Sequence, residues 1–427
     1  MPQKVLIITY YWPPAGGPGV QRWLKFVKYL PEFSFEPIVY CPENPSYPIE
    51  DKSLLRDIPK DITVLKQPIS EPYKLANLFS KKTTKSISSG VIPKKEKQSL
   101  LERLLLFIRG NFFIPDARKN WINPSVHYLS SIIKKENIKT VITTGPPHSM
   151  HVIGLRLKRN HNITWLADFR DPWTTIGYHK ALKLLPFAMK EHQNLELEVL
   201  RSADIITVTS SHTKKEFRTK TNQPIKVITN GYDEHNIEVR SKEDKFTISH
   251  IGSLLSDRNP LALWEALSDL VRTNQDFRSH FMLQLIGVVS ESVMQTIQQL
   301  GLNDYVNFRG YLEHNEAIKA QLKSHVLLLI EIDSEDTKSI IPGKLFEYMH
   351  SKNPILAVGP KGSDVKTILE STNSGKYYTY SQKEDIRKEI LQQFSNYKNG
   401  TSEKNRTDIQ QFSRRSLTKS LSELLKK

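Results

Sequence analysis

The stretch IPGKLFEYM, residues 341–349, is the most informative part of this 427-residue sequence. It lies between two apolar runs, 325–332 and 354–358, that predict buried strands. The Pro-Gly pair at 342–343 predicts the start of a short helix, where the first backbone N–H groups favour an anion. Glu347 follows in the next turns and offers a carboxylate to sugar hydroxyls. The stretch therefore predicts a site for a phosphate and a ribose, which together make a nucleotide.

Strands alternate with helices in the first half of the chain. Seven short apolar or β-branched runs predict strands at 4–10, 36–41, 62–67, 140–145, 163–169, 205–210 and 225–230. Helical patterns lie between several of these runs, and this alternation is typical of parallel βαβ units in a doubly wound sheet. The chain then becomes polar around 230–246, which predicts a linker between domains.

The same alternation restarts after the linker. Strands are predicted at 247–251, 281–286, 305–309, 325–332, 354–358 and 376–380. The predicted fold class is α/β, with two facing doubly wound Rossmann-like domains. Ligands of such sheets bind at the carboxyl ends of the strands, so an interdomain cleft is expected there. The predicted limits are 1–235, with a basic and mobile insertion at about 81–113, then 236–405, and an amphipathic terminal helix at 406–427.

The composition limits the function classes. A net charge of +16 favours polyanionic partners, namely nucleic acid, an anionic membrane surface or phosphorylated substrates. Between residues 81 and 120, ten Lys or Arg residues face three acids, and apolar residues lie among them. That mixture resembles an interfacial membrane element more than a reader of a phosphate backbone. A solvated loop followed by a helix packed on its own domain is an equally open interpretation.

The cysteine content and the longest apolar runs bear on the compartment. The single cysteine, Cys41, excludes an intramolecular disulfide framework and fits a reducing compartment. No apolar stretch approaches the roughly 20 residues that span a bilayer, and the first residues lack the features of a signal peptide. We therefore expect a cytoplasmic location, either throughout the cytoplasm or on the inner face of the plasma membrane.

Three groups of polar or glycine residues follow predicted strands of the first domain. Gly16 and Gly17 belong to the PPAGGPG turn after the first strand, where glycine permits close approach of a ligand. His148 follows the fourth strand, and the segment DFRDPW at 168–173 follows the fifth. Its two acids and one arginine resemble a site. An ordinary glycine turn, an internally paired Asp–Arg turn and a capping or core histidine are the respective alternatives.

The second domain offers cations for a phosphate group. Gly252 and Ser253 follow its first predicted strand, and Arg258 comes five residues later. A guanidinium can hold a diphosphate through two parallel hydrogen bonds. Lys344 can contribute a second positive charge from the 341–349 stretch. An exposed loop arginine is the alternative for Arg258.

These motifs together resemble the retaining glycosyltransferases of family 4, which have the GT-B fold, and most of all those that build bacterial surface polysaccharides. The resemblance covers nearly the whole chain. It is carried by PPAGGPG, DFRDPW, IGSLLSDR, VNFRGYL at 306–312, and PGKLFEYMHSKNPILAV. It implies a nucleotide-diphosphate sugar as donor, bound in the second domain, and transfer with retention. It also implies that no cofactor and no obligatory metal take part.

The resemblance implies roles for individual residues. Glu347 would accept from the ribose hydroxyls, beside Gly252, Ser253, Pro342 and Gly343. Arg258 and Lys344 would stabilise the charge on the leaving diphosphate. On the opposite wall, Gly16, Gly17, His148 and Asp168 would line the acceptor side, with Arg170 and Asp171 close to the chemistry. The acceptor would be lipid-linked or a growing surface glycan.

The sequence departs from the family pattern at two places. The usual E-x7-E pair keeps its second acid, Glu347, but its first acid is replaced by Ser339, with Glu335 and Asp336 shortly before it. Arg170 stands where the family often has a histidine. Three alternatives therefore stay open: a sugar-nucleotide epimerase of the same fold, a basic nucleic-acid-binding protein, and an inert member that only binds a glycan. Against nucleic acid, no helix-turn-helix, zinc-ligand or RNP-type motif is present in the sequence.

Overall fold

The computed structural model describes residues 2–71, 100–177, 179, 182–234, 237, 239, 241–401 and 408–426. The chain divides into two compact units. Unit 1 comprises Met1–Asn230 and Arg414–Lys427, and unit 2 comprises Gly231–Ser413. The basic part of the predicted insertion, 81–99, lies outside the described residues, whereas 100–113 is largely helical.

Unit 1 contains a seven-stranded parallel sheet in the part of the chain that the structure describes. Its strands are β1 (Gln3–Ile8), β2 (Phe35–Pro42), β3 (Thr63–Gln67), β4 (Thr140–Gly145), β5 (Thr164–Phe169), β6 (Ile205–Val208) and β7 (Ile225–Val227). Their order in the sheet is β3-β2-β1-β4-β5-β6-β7. This is a doubly wound topology, since the order reverses direction between β1 and β4.

The described helices of unit 1 connect or cover these strands. They are α1 (Pro18–Tyr29), α2 (Leu100–Phe112), α3 (Ile122–Lys135), α4 (Ser149–Asn160), α5 (Pro186–Ser202), α6 (Ser211–Arg218) and the terminal α14 (Arg414–Leu425). The terminal helix packs on α1 through Leu417, Leu421 and Leu425, which belong to the same core cluster as Trp23 and Val27. The chain thus returns to its first unit, because the apolar stripe of α14 finds its complement there.

Unit 2 contains a six-stranded parallel sheet among its described residues. Its strands are β8 (Phe246–Ile251), β9 (Phe281–Ile286), β10 (Val306–Gly310), β11 (Val326–Ile330), β12 (Ile355–Gly359) and β13 (Gly375–Thr379). Its helices are α7 (Leu261–Thr273), α8 (Gln275–His280), α9 (Glu291–Gln299), α10 (His314–Lys323), α11 (Lys344–His350), α12 (Asp364–Thr372) and α13 (Lys383–Lys398). The strand order is β10-β9-β8-β11-β12-β13, which reverses between β8 and β11.

The central strands of both sheets are covered on both faces. Every residue of β4, β8 and β11 is buried. Runs such as Val326–Ile330 are continuously apolar for this reason, since a strand that has helices on both faces has no polar side. The predicted fold class, two Rossmann-like α/β domains with parallel sheets, is confirmed. None of the described helices is long and apolar enough to cross a bilayer.

Candidate functional site

The strand order of unit 2 places its candidate site at the carboxyl ends of β8 and β11. In an open parallel sheet, loops leave in opposite directions where the strand order reverses, and a crevice forms there. Gly252 follows β8 directly, and Glu331 follows β11 directly. The predicted loop that contains Arg258 and the predicted stretch 341–349 both start from this edge of the sheet.

Gly252, Lys344 and Arg258 lie together at this edge. Gly252 has a φ of +117°, which favours glycine, and a Cβ atom on it would lie 2.6 Å from the Lys344 Nζ, so that the Lys344 side chain would have to move. Desolvation first, and the positive charge of Arg258 second, lower the pKa of Lys344 to about 8, while Glu347 opposes the shift. A desolvated ammonium group beside a guanidinium group is an arrangement that suits an anionic ligand.

Arg258 is half-buried, and its guanidinium makes one weak hydrogen bond, to its own loop, among the described residues. Its Nη1 donates to the carbonyl oxygen of Ser253 over 3.3 Å. Its Nε is buried, and no acceptor for it is found among the described residues. A buried guanidinium N–H without an acceptor is costly, so this donor is available to a ligand oxygen.

The helix that contains Glu347 is short and firmly attached. The helix α11 has seven residues, and two of its first amides already donate locally, Leu345 N–H to the Pro342 oxygen and Phe346 N–H to the Gly343 oxygen. The expected anion-binding helix start is therefore largely occupied, and the nearby side-chain cations carry the positive charge. Glu347 is half-buried, and its carboxylate accepts a long contact of 3.5 Å from the Gln321 side chain.

Glu331 is a functional candidate that the sequence reasoning missed. It is 4% exposed, and its carboxylate contacts Ser363 and Tyr377 at the carboxyl edge of the sheet. Burial raises the pKa of Glu331 to about 7, although Tyr377, Ser363 and Arg258 oppose the shift. A sequence signal existed, because an acid directly after the continuously apolar run Val326–Ile330 is unexpected unless it has a role at the strand end.

In unit 1, the glycine turn after β1 is used mainly for packing within the chain. The Gly16 N–H donates to the Ile49 oxygen at 2.9 Å, and a Cβ on Gly16 would lie 2.9 Å from the Ile49 side chain. Gly17 has a φ of +99° and open space around it. A Cβ on Gly19 would run into the guanidinium of Arg170, which identifies Gly19 as the position where this turn meets the end of β5.

Arg170 and Asp171 form the accessible part of the DFRDPW segment. The guanidinium of Arg170 donates to the carbonyl oxygens of Gly145 and Pro146, and it lies 5.7 Å from the ring centroid of Tyr11. Desolvation lowers the pKa of Arg170 and raises the pKa of Asp171, and each residue opposes the shift of the other. The Arg170 side chain thus joins the ends of β1, β4 and β5, where β1 and β4 flank the reversal of strand order.

Asp168 lies away from that accessible edge. It is fully buried, and its carboxylate accepts five hydrogen bonds: two from Arg22 and one each from Trp23, Thr144 and Thr207, at 2.8 to 3.3 Å. Burial raises the pKa of Asp168, but Arg22 and the hydroxyl and indole donors overcome this and hold it below its ordinary value. Asp168 thus pairs with Arg22 of α1 and not with Arg170 of its own segment, and the pair connects α1 to the sheet.

His148 belongs to a buried group of four histidines. It is 2% exposed and stacks on Trp173 at 4.5 Å, and neither of its ring nitrogens has a hydrogen-bond partner among the described residues. Burial, followed by the neighbours His151, His179 and His192, lowers the pKa of His148 well below its ordinary value. His148 therefore stays neutral, and its surroundings are those of a core residue, as the alternative interpretation expected. No group of three or more His, Cys, Asp or Glu residues suited to a metal is found in the described part of the chain.

Solved structures share this architecture over nearly the whole chain. A variant of TarM from S. aureus, in complex with fondaparinux, α-GlcNAc-glycerol and UDP, matches with a TM-score of 0.56 at 11% identity, covering 100% of both chains. WaaG, a glycosyltransferase involved in lipopolysaccharide biosynthesis, matches with a TM-score of 0.53 at 10% identity, covering 98% of this chain and 99% of that one. The chain has the GT-B fold.

An epimerase shares the fold as well. A putative UDP-N-acetylglucosamine 2-epimerase from Listeria monocytogenes matches with a TM-score of 0.53 at 15% identity, covering 100% of this chain and 96% of that one. No known protein-family model matches the sequence, and no curated protein matches it. At such identities the likeness concerns the fold alone.

Proposed function

We propose that this protein is a retaining glycosyltransferase of family 4 that moves a sugar from a nucleotide-diphosphate sugar to a lipid-linked or growing surface glycan. One observation carries the proposal: Arg258 and Lys344 converge beside Gly252 at the reversal of strand order in unit 2. A desolvated ammonium group and a neighbouring guanidinium group at this edge suit a diphosphate, because its negative charge complements theirs.

The chemistry follows from where charge develops. The bond between the anomeric carbon and the diphosphate oxygen breaks, a bond from the acceptor hydroxyl oxygen to that carbon forms, and the hydroxyl proton passes to an oxygen of the leaving diphosphate. The leaving diphosphate gains negative charge, which Arg258 and Lys344 stabilise more strongly than in the donor ground state. We propose that these fixed cations make a metal unnecessary, and that no cofactor takes part. Glu347 accepts from the ribose hydroxyls, as the resemblance implies.

Nucleotide binding tests the donor site directly. A thermal-shift panel of nucleoside diphosphates and their sugar conjugates identifies the preferred base, and calorimetry then measures its affinity. Arg258→Ala is expected to reduce sugar transfer about a hundredfold or more, the usual cost of losing one preorganised donor to developing charge. Arg272→Ala, which removes a surface arginine paired with Asp269 on α7, is the matched control and is expected to leave transfer unchanged.

The donor assignment fails if Arg258→Ala and Glu347→Ala both fold normally and transfer sugar at the wild-type rate. The reaction type is tested separately by incubation with donor alone. A donor that comes back with one sugar carbon inverted would favour the epimerase that shares the fold. A donor that stays unchanged when it is alone, and is consumed when acceptor is added, favours the transferase.

We propose that unit 1 contributes the acceptor side. Arg170 and Asp171 support this role, because they are half-buried at the carboxyl edge and retain polar groups for a ligand. Asp168 and His148 support these residues from the core. Asp171→Asn is expected to reduce transfer while leaving donor affinity unchanged, and a parallel loss of donor affinity would contradict the assignment.

An apolar stripe on unit 1 supports an acceptor at a membrane. Leu104, Ile108 and Phe112 recur every four residues on α2 and are 53%, 36% and 57% exposed. Leu185 and Phe187, at the start of α5, are also exposed, and the Asn111 side chain joins α2 to this segment by accepting from the Leu185 N–H. We propose that this surface, with the basic residues before it in the sequence, lies on an anionic leaflet at the cytoplasmic face.

Vesicle sedimentation tests the membrane surface. The triple variant Leu104→Ser, Ile108→Ser and Phe112→Ser is expected to lose binding to phosphatidylglycerol vesicles, because burial of each side chain contributes about 1.5 kcal/mol or more. Ile49→Ser, at an equally exposed position elsewhere in unit 1, is the control. Equal sedimentation of both variants would contradict the proposal, and a concentration-dependent dimer that only the triple variant loses would indicate a second copy of the chain instead.

A further inference from the structure

Three short oxygen–oxygen contacts form a chain that includes the Glu331 carboxyl group. Its Oε1 lies 3.1 Å from the Ser363 Oγ, and its Oε2 lies 2.8 Å from the Tyr377 Oη. The same Tyr377 Oη lies 2.9 Å from the carbonyl oxygen of Pro360. Each of these contacts needs a hydrogen between its two oxygens, because two lone pairs at such distances repel each other.

The hydrogens can be counted. Ser363 and Tyr377 supply one hydroxyl hydrogen each, and the Pro360 carbonyl supplies none. An ionised Glu331 would therefore leave two hydrogens for three contacts. A protonated Glu331 supplies the third, so that it donates to Tyr377, Tyr377 donates to Pro360, and Ser363 donates to Glu331. The Ser363 oxygen also accepts from the Val365 N–H, which agrees with its hydroxyl hydrogen pointing to the carboxyl group.

The surroundings favour the neutral acid. Glu331 is buried. The backbone of Gly359 packs so closely on the Glu331 carboxyl group and the Tyr377 hydroxyl that a side chain at position 359 would clash with both. The charged and titratable groups that face it are Arg258 from the loop after β8, Asp364 from α12, Tyr377 of β13, and Tyr380, whose hydroxyl donates to the Glu331 backbone oxygen. Burial raises the pKa of Glu331 to about 7, Asp364 adds to the shift, and Arg258 opposes it. Arg258 is thus the one cation among these groups.

We propose that Glu331 is a positioning residue that keeps its proton while a nucleoside diphosphate occupies Arg258, so that donor binding and proton uptake are coupled. An ionised Glu331 would draw the guanidinium of Arg258 toward itself and repel the diphosphate. A neutral Glu331 leaves the positive charge of Arg258 to the ligand. The inference rests on the proposed function, since it requires a diphosphate at Arg258.

Affinity for a nucleoside diphosphate is therefore expected to fall as the pH rises through neutrality. The fall reaches about tenfold for each unit by which the bound ligand raises the pKa of Glu331. Glu331→Gln keeps the shape and a donor to Tyr377 but cannot ionise. This variant is expected to bind as tightly as the wild type near pH 6 and more tightly near pH 8.5.

Calorimetry on the full chain tests the coupling. UDP, GDP and ADP are titrated at several pH values in buffers of different ionisation enthalpy, and the comparison between wild type and Glu331→Gln cancels the titration of the ligand and of Lys344. Glu389→Gln is the matched control. Glu389 also accepts from a tyrosine hydroxyl, that of Tyr378, but it lies beside the first residues of β12 and β13, at the amino ends of the strands. A proton uptake that the wild type and Glu389→Gln share and Glu331→Gln lacks supports the inference.

Two results overturn it, and they are distinguishable. Identical pH profiles for wild type and Glu331→Gln, with binding intact, overturn the coupling and leave the proposed donor site standing. Absence of binding by the wild type at every pH overturns the coupling together with the donor site.

A measurement without ligand tests the proton itself. An acid whose pKa is higher in the folded state contributes stability that is complete below its unfolded pKa and is lost as the pH rises through its folded pKa. The urea midpoint of the wild type is therefore expected to fall relative to Glu331→Gln between about pH 5 and about pH 8. A constant difference over that range would show that Glu331 is ionised throughout, and the inference would be wrong.

Discussion

The buried pair of Arg22 and Asp168 makes the sharpest prediction about stability. The two side chains are 2% and 1% exposed, and their closest atoms, Arg22 Nη2 and Asp168 Oδ1, are 2.9 Å apart. Arg22→Met keeps most of the length of the side chain but removes its charge and its donors. Asp168 would then keep the hydrogen bonds from Trp23, Thr144 and Thr207.

The expected loss is large because a buried carboxylate would lose its counter-charge. Removing one partner of such a pair typically costs about 3 to 5 kcal/mol. Arg22 also donates to the carbonyl oxygen of Thr229 at 2.7 Å, so that acceptor is left unpaired as well. Burial, no longer opposed by Arg22, is then expected to raise the pKa of Asp168, and the variant should regain stability as the pH falls.

Urea unfolding followed by tryptophan fluorescence measures the effect, since Trp23 donates to Asp168 and reports on unit 1. Arg415→Met is the matched control: Arg415 pairs with Glu32 on the surface of the same unit, with 69% and 39% of the side chains exposed, and such pairs contribute less than about 1 kcal/mol. Adding Asp168→Asn to Arg22→Met should recover part of the loss. A destabilisation below about 1 kcal/mol in Arg22→Met would refute the reasoning.

Three further predictions concern the site of unit 2 and the histidines of unit 1. Gly252→Ala should weaken nucleotide binding in calorimetry, because the added Cβ would displace the Lys344 ammonium group. Gly301→Ala is the control, since Gly301 also has a positive φ but open space around it, and this variant should bind normally. Equal affinities of the two variants would contradict the packing argument. In the Glu331→Gln background, where position 331 cannot titrate, nucleotide affinity should fall above about pH 8 as Lys344 loses its proton. Adding Lys344→Met should weaken binding and remove that dependence; the same slope in both proteins would exclude Lys344. Burial lowers the pKa values of His151 and His179 to about 3. Each should therefore reduce the free energy of unfolding by about 2 kcal/mol at pH 5, because these histidines are protonated in the unfolded chain and neutral in the folded state. A urea midpoint that stays constant between about pH 7 and about pH 5 would contradict this.

The sequence by itself determined the strands and their parallel arrangement. A strand covered on both faces must be apolar along its whole length, and this is a local property that Val326–Ile330 displays without reference to any other segment. Because the carboxyl ends of parallel strands share one edge, the sequence also determined that Gly252, Arg258 and Lys344 would lie near one another. Those residues come together as expected at that edge.

Only the tertiary structure decided what each polar group does there. Asp168 was predicted from its own segment, but its partner Arg22 is 146 residues away, and the pairing makes it a core residue. Glu331 contacts Tyr377, which is 46 residues away in the sequence. The Tyr377 hydroxyl also contacts the Pro360 carbonyl oxygen, and these two contacts together are the basis for placing a proton on the Glu331 carboxyl group. Gly16 packs against Ile49, 33 residues away in the sequence. Charge, protonation and access depend on desolvation by distant neighbours, and such neighbours are set by how helices and loops pack on the sheet rather than by any local pattern.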